Sequence, residues 1–150
     1  MTLIDNTIKK RILVVCAANY CRSPVAEQLL QHYHKDHDFD SAGIFDFNTV
    51  GMDPRSLKFL KKYLKNPKLH NTKKITKKLI DYNDLIFAID FKILMDLNKL
   101  FPNSSNKFKL FAINDKKIML SDPYKMDDIG YEKIMDKINL ISKEMKLETP

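Results

Sequence analysis

Two uninterrupted apolar runs, Ile12-Leu13-Val14-Val15 and Leu85-Ile86-Phe87-Ala88-Ile89, organise the chain, and residues at helical spacing follow each of them. Runs of this length without polar alternation predict strands buried on both faces. Residues 12–16 read as a first strand, 39–44 as a second, 85–89 as a third and 108–111 as a fourth. Between them, Val25, Ala26, Leu29, Leu30 and Tyr33 line one face of a helix, with Ser23 suited to its N-cap and Pro24 to its first position. Further helices are expected from Pro54 to about Leu64, near 76–81 and over 92–100, ending before Pro102 and the polar Asn103-Ser104-Ser105-Asn106. Tyr131, Ile134, Met135, Ile138, Ile141 and Met145 mark a closing helix. Alternating strands and helices with apolar strands imply a three-layer α/β fold: a four-stranded parallel sheet with helices on both faces.

In such sheets ligands bind beyond the carboxyl ends of the strands, where strand order reverses. The first strand ends in Cys-Ala-Ala-Asn-Tyr-Cys-Arg-Ser over residues 16–23, just before Pro24. A strand feeding a helix through a short loop aims unsatisfied N–H groups at one point and stabilises an anion there. Those dipoles and the Arg22 charge favour the thiolate of Cys16, the nucleophilic form. Arg22 offers a planar fork of donors that matches two phosphate oxygens. The loop therefore predicts a site that binds a tetrahedral anion and attacks its centre. An isolated cysteine at a strand end would be a core residue; the spacing of Cys16, Asn19, Cys21, Arg22, Ser23 and Pro24 reverses that reading.

At these residues the chain resembles the low-molecular-weight protein tyrosine phosphatases, whose signature Cys-x-Gly-Asn-x-Cys-Arg-Ser-Pro follows their first strand. Asp40-Ser41-Ala42-Gly43, Asp53-Pro54-Arg55, His70, the stretch over 84–90 and Asp122-Pro123-Tyr124 fall in the family's order, across nearly the whole chain. The resemblance implies a flavodoxin-like, phosphotyrosine phosphatase I-like fold. It also implies hydrolysis of phosphotyrosine and aryl phosphates through a phosphocysteine intermediate, with no cofactor or metal. Cys16, Arg22 and Asp122 match the family's nucleophile, clamp and general acid, and Ala17, Ala18, Asn19, Tyr20, Cys21, Arg22 and Ser23 match its phosphate loop. Asn19, Ser23, Ser41 and His70 match residues that hold the loop in shape, Phe47 and Tyr124 the aromatic walls of the pocket, and Cys21 a resolving thiol for Cys16. Ser23 combines cap and hydrogen-bond donor to the Cys16 sulfur. Asn19 also tolerates left-handed backbone geometry on its own account. Implied partners are phosphotyrosine-containing proteins, a bacterial-type tyrosine kinase among them.

Three positions depart from the pattern. Ala18 stands where the family carries glycine, so a glycine-type backbone angle there would be strained and an ordinary one would not. Tyr20 replaces a smaller residue and reshapes the pocket, and Lys125 replaces a second aromatic and tilts preference toward acidic flanking sequence.

Composition narrows the setting. At 150 residues and 44% hydrophobic, the chain fits a single domain over 1–150 with a core that needs no disulfides. Met1-Thr2-Leu3-Ile4-Asp5-Asn6 lacks the charge and apolar stretch of a secretion signal, and no apolar run is long enough to span a bilayer. Both cysteines lie in one loop, which makes a poor zinc site and fits a reducing cytoplasm.

The net charge of +7 is concentrated in Arg55, Lys58, Lys61, Lys62, Lys65, Lys68, Lys73, Lys74, Lys77 and Lys78, with no acid between Pro54 and Ile80. Lys58, Lys61, Lys62 and Lys65 share one face of the expected helix, opposite Leu57, Leu60 and Leu64, as a solvated amphipathic face does. The alternative is weak attraction to acidic partners; no aromatics interleave as a nucleic-acid platform requires. Competing readings are a phosphoarginine phosphatase or an arsenate reductase of the same fold, and a non-enzymatic phosphate- or acidic-partner-binding module. The absence of any cysteine after Cys21 argues against a thioredoxin-coupled reductase. The bulk of Tyr20 gives phosphoarginine no support.

Overall fold

The computed structural model describes residues 8–113, 115 and 118–147. Met1–Asn6, read above for a secretion signal, lies outside them. Four parallel strands, β1 (Arg11–Cys16), β2 (Asp38–Gly43), β3 (Leu85–Ala88) and β4 (Phe108–Leu110), form one sheet in the order β2-β1-β3-β4. Ile12, Leu13, Val14 and Val15 are fully buried, as a strand covered on both faces requires. The helices are α1 (Arg22–Tyr33), α2 (Pro54–Leu60), α3 (Lys77–Tyr82), α4 (Phe91–Leu100) and α5 (Asp128–Glu144). The step from β1 to β2 and the step from β3 to β4 run in opposite directions, so right-handed crossovers place α1 and α4 on opposite faces. Helix α1 packs on β1, β2, α2 and α5, while α4 packs on β3 and β4. The chain reverses between β1 and β3, and Cys16 ends β1 at that switch point. Among the described residues no helix is long and apolar enough to cross a membrane.

Two local expectations are corrected. Helix α1 begins at Arg22, with Cys21 at its N-cap position and no side-chain cap, so Ser23 is the second helical residue and not the cap. Its hydroxyl is turned inward, to Cys16 and Asn19, and is unavailable to the helix end. Every residue from Arg22 to Leu30 is buried, so α1 is enclosed all round except in its last turn, where Gln31 and His32 are exposed. Helix α2 stops at Leu60 and not near Leu64: the N–H groups of Lys62 and Tyr63 bond to Phe59 and Leu60, a tightened turn. Of the four lysines expected to share one helical face, only Lys58 therefore lies within the helix; Lys61 is its C-cap, and Lys62 and Lys65 lie beyond it. The polar stretch after Pro102 forms a short 3-10 helix, Pro102–Lys107.

The lysine-rich segment is less naked than its sequence suggests. Acids from elsewhere meet five of its cations: Arg55 pairs with Asp53, Lys62 with Glu132, Lys68 with Glu27, Lys73 with Asp40 and Lys77 with Asp81. Lys58, Lys61 and Lys65 are solvent-exposed. These lysines are solvated, but along the helix end and the turn after it rather than on one helical face.

Candidate active site

The loop after β1 is held from behind by one asparagine. Asn19 is fully buried with φ 56°, in the left-handed region that asparagine tolerates better than most residues. Its Nδ2 donates to Ser23 Oγ (2.8 Å) and Ser41 Oγ (2.9 Å), and its Oδ1 accepts from the Lys73 N–H (3.0 Å). His70 Nε2 donates to its carbonyl at 2.8 Å. Ser41 Oγ donates a hydrogen bond to Glu27 Oε1 at 2.6 Å, which gives that buried carboxylate a partner. Because Ser23 accepts from Asn19, its hydroxyl proton is free to point at Cys16 Sγ, 2.9 Å away.

Gly43, at the end of β2, lies against the same loop. A Cβ there would stand 2.8 Å from Ala18 C and Asn19 N and 2.9 Å from Ala17 O. Backbone atoms cannot yield at that distance, so the loop's close approach requires glycine at Gly43. Ala18 is not among the residues with positive φ, so the alanine in the loop carries no left-handed strain.

Arg22 is almost wholly buried, and its Nη1 donates to Asp90 Oδ2 (2.6 Å) and to the Leu120 carbonyl (2.7 Å). Among the described residues no hydrogen bond uses its Nε or Nη2. Asp90 is itself fixed, because its Oδ1 caps α4 at the Ile93 N–H (2.8 Å).

A cleft of about 150 Å³ opens over the loop, lined by Cys16, Ala17, Ala18, Tyr20, Cys21 and Arg22, and by Phe45, Phe47, Asp122 and Tyr124 across from them. Tyr20 contacts both walls, its ring centroid 4.7 Å from Phe47 and 6.2 Å from Tyr124. Burial and the nearby Asp53 carboxylate push the Tyr20 phenol up, so it is a neutral wall. Burial likewise pushes the Cys21 thiol up to about 12, and Cys21 stays protonated. Asp122 is exposed at the rim, where its Oδ1 accepts from the Tyr124 N–H at 3.1 Å. Among the described residues no group of three or more His, Cys, Asp or Glu side chains is placed to hold a metal ion.

The structure thus brings Cys16, Arg22, Asp122, Phe47 and Tyr124 to one cleft, with Ser41 and His70 behind the loop. Sequence reasoning gave no part to Phe45, Glu27 or Asp90, and no role to Arg55. Asp90 and Asp53 carry helix-cap signals; Asp53 meets an arginine two residues on, whereas nothing local names the Arg22 that Asp90 meets.

Comparison with known proteins decides the family. A family model, "Low molecular weight phosphotyrosine protein phosphatase", matches residues 11–148. The chain belongs to this family. It is 33% identical over 114 residues to the low molecular weight protein-tyrosine-phosphatase Wzb of Escherichia coli (strain K12), covering 76% of this chain and 78% of that one. The crystal structure of Wzb from Escherichia coli K30 with sulphate superposes with a TM-score of 0.83 at 27% identity, covering 91% of this chain and 95% of that one. The YwlE arginine phosphatase from Geobacillus stearothermophilus shares the fold, with a TM-score of 0.79 at 23% identity, over 89% of this chain and 88% of that one.

Proposed function

We propose that this single-domain phosphatase hydrolyses phosphotyrosine and other aryl phosphates through a phosphocysteine intermediate. The observation that carries the reading is the buried Ser23 hydroxyl 2.9 Å from the Sγ of Cys16, which lines a cleft together with Arg22 and Asp122. Cys16 attacks phosphorus as the thiolate; the P–O bond to the phenol breaks, and Asp122, entering as the acid, gives its proton to the departing oxygen. Arg22 and the loop N–H groups from Ala17 to Ser23 take the equatorial oxygens, and fixed donors of this kind dominate phosphoryl transfer. In the second half, Asp122 takes a proton from water as water attacks phosphorus, and the Ser23 proton stabilises the thiolate that leaves.

The aromatic walls Tyr20, Phe47 and Tyr124 suit a flat aryl group, which favours phosphotyrosine over phosphoarginine. Phosphotyrosine proteins in the cytoplasm, tyrosine kinases among them, are the proposed substrates. The test is hydrolysis of an aryl phosphate. Asp122→Ala should slow it by about 10²–10⁴-fold and Cys16→Ser should abolish it; an inactive wild type, or a fully active Cys16→Ser, overturns the mechanism.

Cys21, lining the same cleft, is the proposed redox partner of Cys16. Peroxide would convert the Cys16 thiolate to a sulfenic acid, and condensation with the Cys21 thiol would release water and form a disulfide. A Cys21 held as thiol makes that closure slow. Peptide mapping of peroxide-treated protein should find Cys16 linked to Cys21; irreversible overoxidation of Cys16 without that link would rule the pairing out.

A further inference from the structure

Asp122 belongs to an exposed turn, and what fixes that turn lies on another element. Arg55, in the first turn of α2, donates from Nη2 to the Tyr124 carbonyl (2.9 Å) and from Nη1 to the Met126 carbonyl (2.9 Å). The turn is closed internally by Asp122 Oδ1 accepting from the Tyr124 N–H and by the Met126 N–H bonding to the Pro123 carbonyl. Arg55 therefore grips the segment that sets the Asp122 carboxylate.

The grip is itself anchored. Asp53 accepts from Arg55 Nε (3.1 Å) and Nη2 (3.0 Å), and the guanidinium lies 4.0 Å over the Tyr131 ring. Asp53 touches the phosphate loop directly and Tyr131 through Ser56: the Asp53 N–H bonds to the Tyr20 carbonyl, and Ser56 donates to the Cys21 carbonyl while bonding to the Tyr131 hydroxyl. One planar fork thus spans a carboxylate tied to the nucleophile's loop and two carbonyls of the acid's turn. A lysine, with a single nitrogen, cannot reproduce that geometry.

We infer that Arg55 is a positioning residue that fixes the general acid Asp122 relative to the phosphate loop. The inference rests on the acid role proposed above for Asp122. Misplacing a reacting group by about 1 Å costs on the order of a hundredfold. Because Arg55 acts through Asp122, its loss falls on leaving groups that need a proton and spares phosphate binding.

The experiment compares wild type, Arg55→Lys, Arg55→Met, Asp122→Ala and the Arg55→Met/Asp122→Ala double variant. Each is assayed for kcat/KM over aryl phosphates of graded leaving-group basicity, and for competitive inhibition by inorganic phosphate. Both Arg55 variants should lose between about ten- and a hundredfold with tyrosine phosphate. They should lose much less with a dinitrophenyl ester, whose phenolate leaves without a proton, and phosphate inhibition should be unchanged, which also reports a folded loop. The double variant should be no slower than Asp122→Ala alone. Equal loss across all leaving groups, weakened phosphate inhibition or an additive double variant overturns the inference. If Asp122→Ala itself shows no leaving-group dependence, the acid role falls and the inference with it. If Asp122→Ala shows that dependence and the Arg55 variants do not, only the inference falls.

Discussion

Across the cleft, the loop over 16–23 buries Asn19 and Ser23 completely, whereas the turn over 120–126 leaves Asp122 in solvent. The first is built from side chains that bond to one another, each serving as donor or acceptor for the next. The second is held through its backbone carbonyls by two arginines from elsewhere, Arg22 at Leu120 and Arg55 at Tyr124 and Met126. A cradle for an oxyanion must present fixed donors before the substrate arrives, and a closed network achieves that. A carboxylate that exchanges protons with a leaving group and then with water needs access, and a tethered exposed turn gives it both place and solvent.

The contrast predicts opposite consequences for stability and rate. In Asp122→Ala the rate loss given above should come with thermal stability close to wild type, since the exposed carboxylate makes one local bond. Asn19→Ala removes three side-chain hydrogen bonds and leaves buried partners unmet, at about 3 kcal/mol, or roughly a 10 °C fall in Tm. Its activity should fall as well, because Ser23 loses its orientation. Scanning calorimetry beside aryl phosphate assays checks the pair. A thermally unaffected Asn19→Ala, or a strongly destabilised Asp122→Ala, would erase the distinction. Arg55→Met, which removes the tie between the two loops, should fall between them in stability.

How far each region was legible in the sequence follows the same division. Apolar runs and helical periods place β1, β3, α1, α4 and α5, because burial of a strand or a helix face is written in consecutive residues. Cys16, Asn19, Arg22 and Ser23 lie within eight positions of one another, so their chemistry was visible as a motif. Ser23 was misread as a cap because Ser-Pro is a local helix-start signal. Only the tertiary pull of Cys16 and Asn19 turns its hydroxyl inward. Gly43 matched the family pattern without a reason, since the atoms that exclude a Cβ belong to residues 17–19. Arg55 and Asp90 were unreadable as partners for the same cause. Arg55 meets carbonyls 69 and 71 residues away, and Asp90 meets an arginine 68 residues away. Lone charged residues carry no period that announces such pairings.

The smallest expected effect tests whether either loop limits the fold in acid. His37 is buried at the amino end of the sheet, opposite the cleft, where its Nδ1 accepts from the Lys10 N–H at 3.0 Å. Burial, with Lys10 and His34 nearby, pulls its imidazole below the ordinary value of 6.5, against the raising influence of Asp36 and Asp38. The folded state therefore favours neutral His37, and protonation would destroy the acceptor that Lys10 uses. Between the lowered folded value and 6.5 the unfolded chain binds more protons, so stability rises with pH there. The contribution is present in full above about pH 6.5 and is lost as pH falls through the folded value. Urea midpoints of wild type should drop from pH 7 to pH 5 more steeply than those of His37→Gln, whose amide oxygen accepts the same N–H at either pH. Parallel slopes for the two proteins would place the acid sensitivity away from His37.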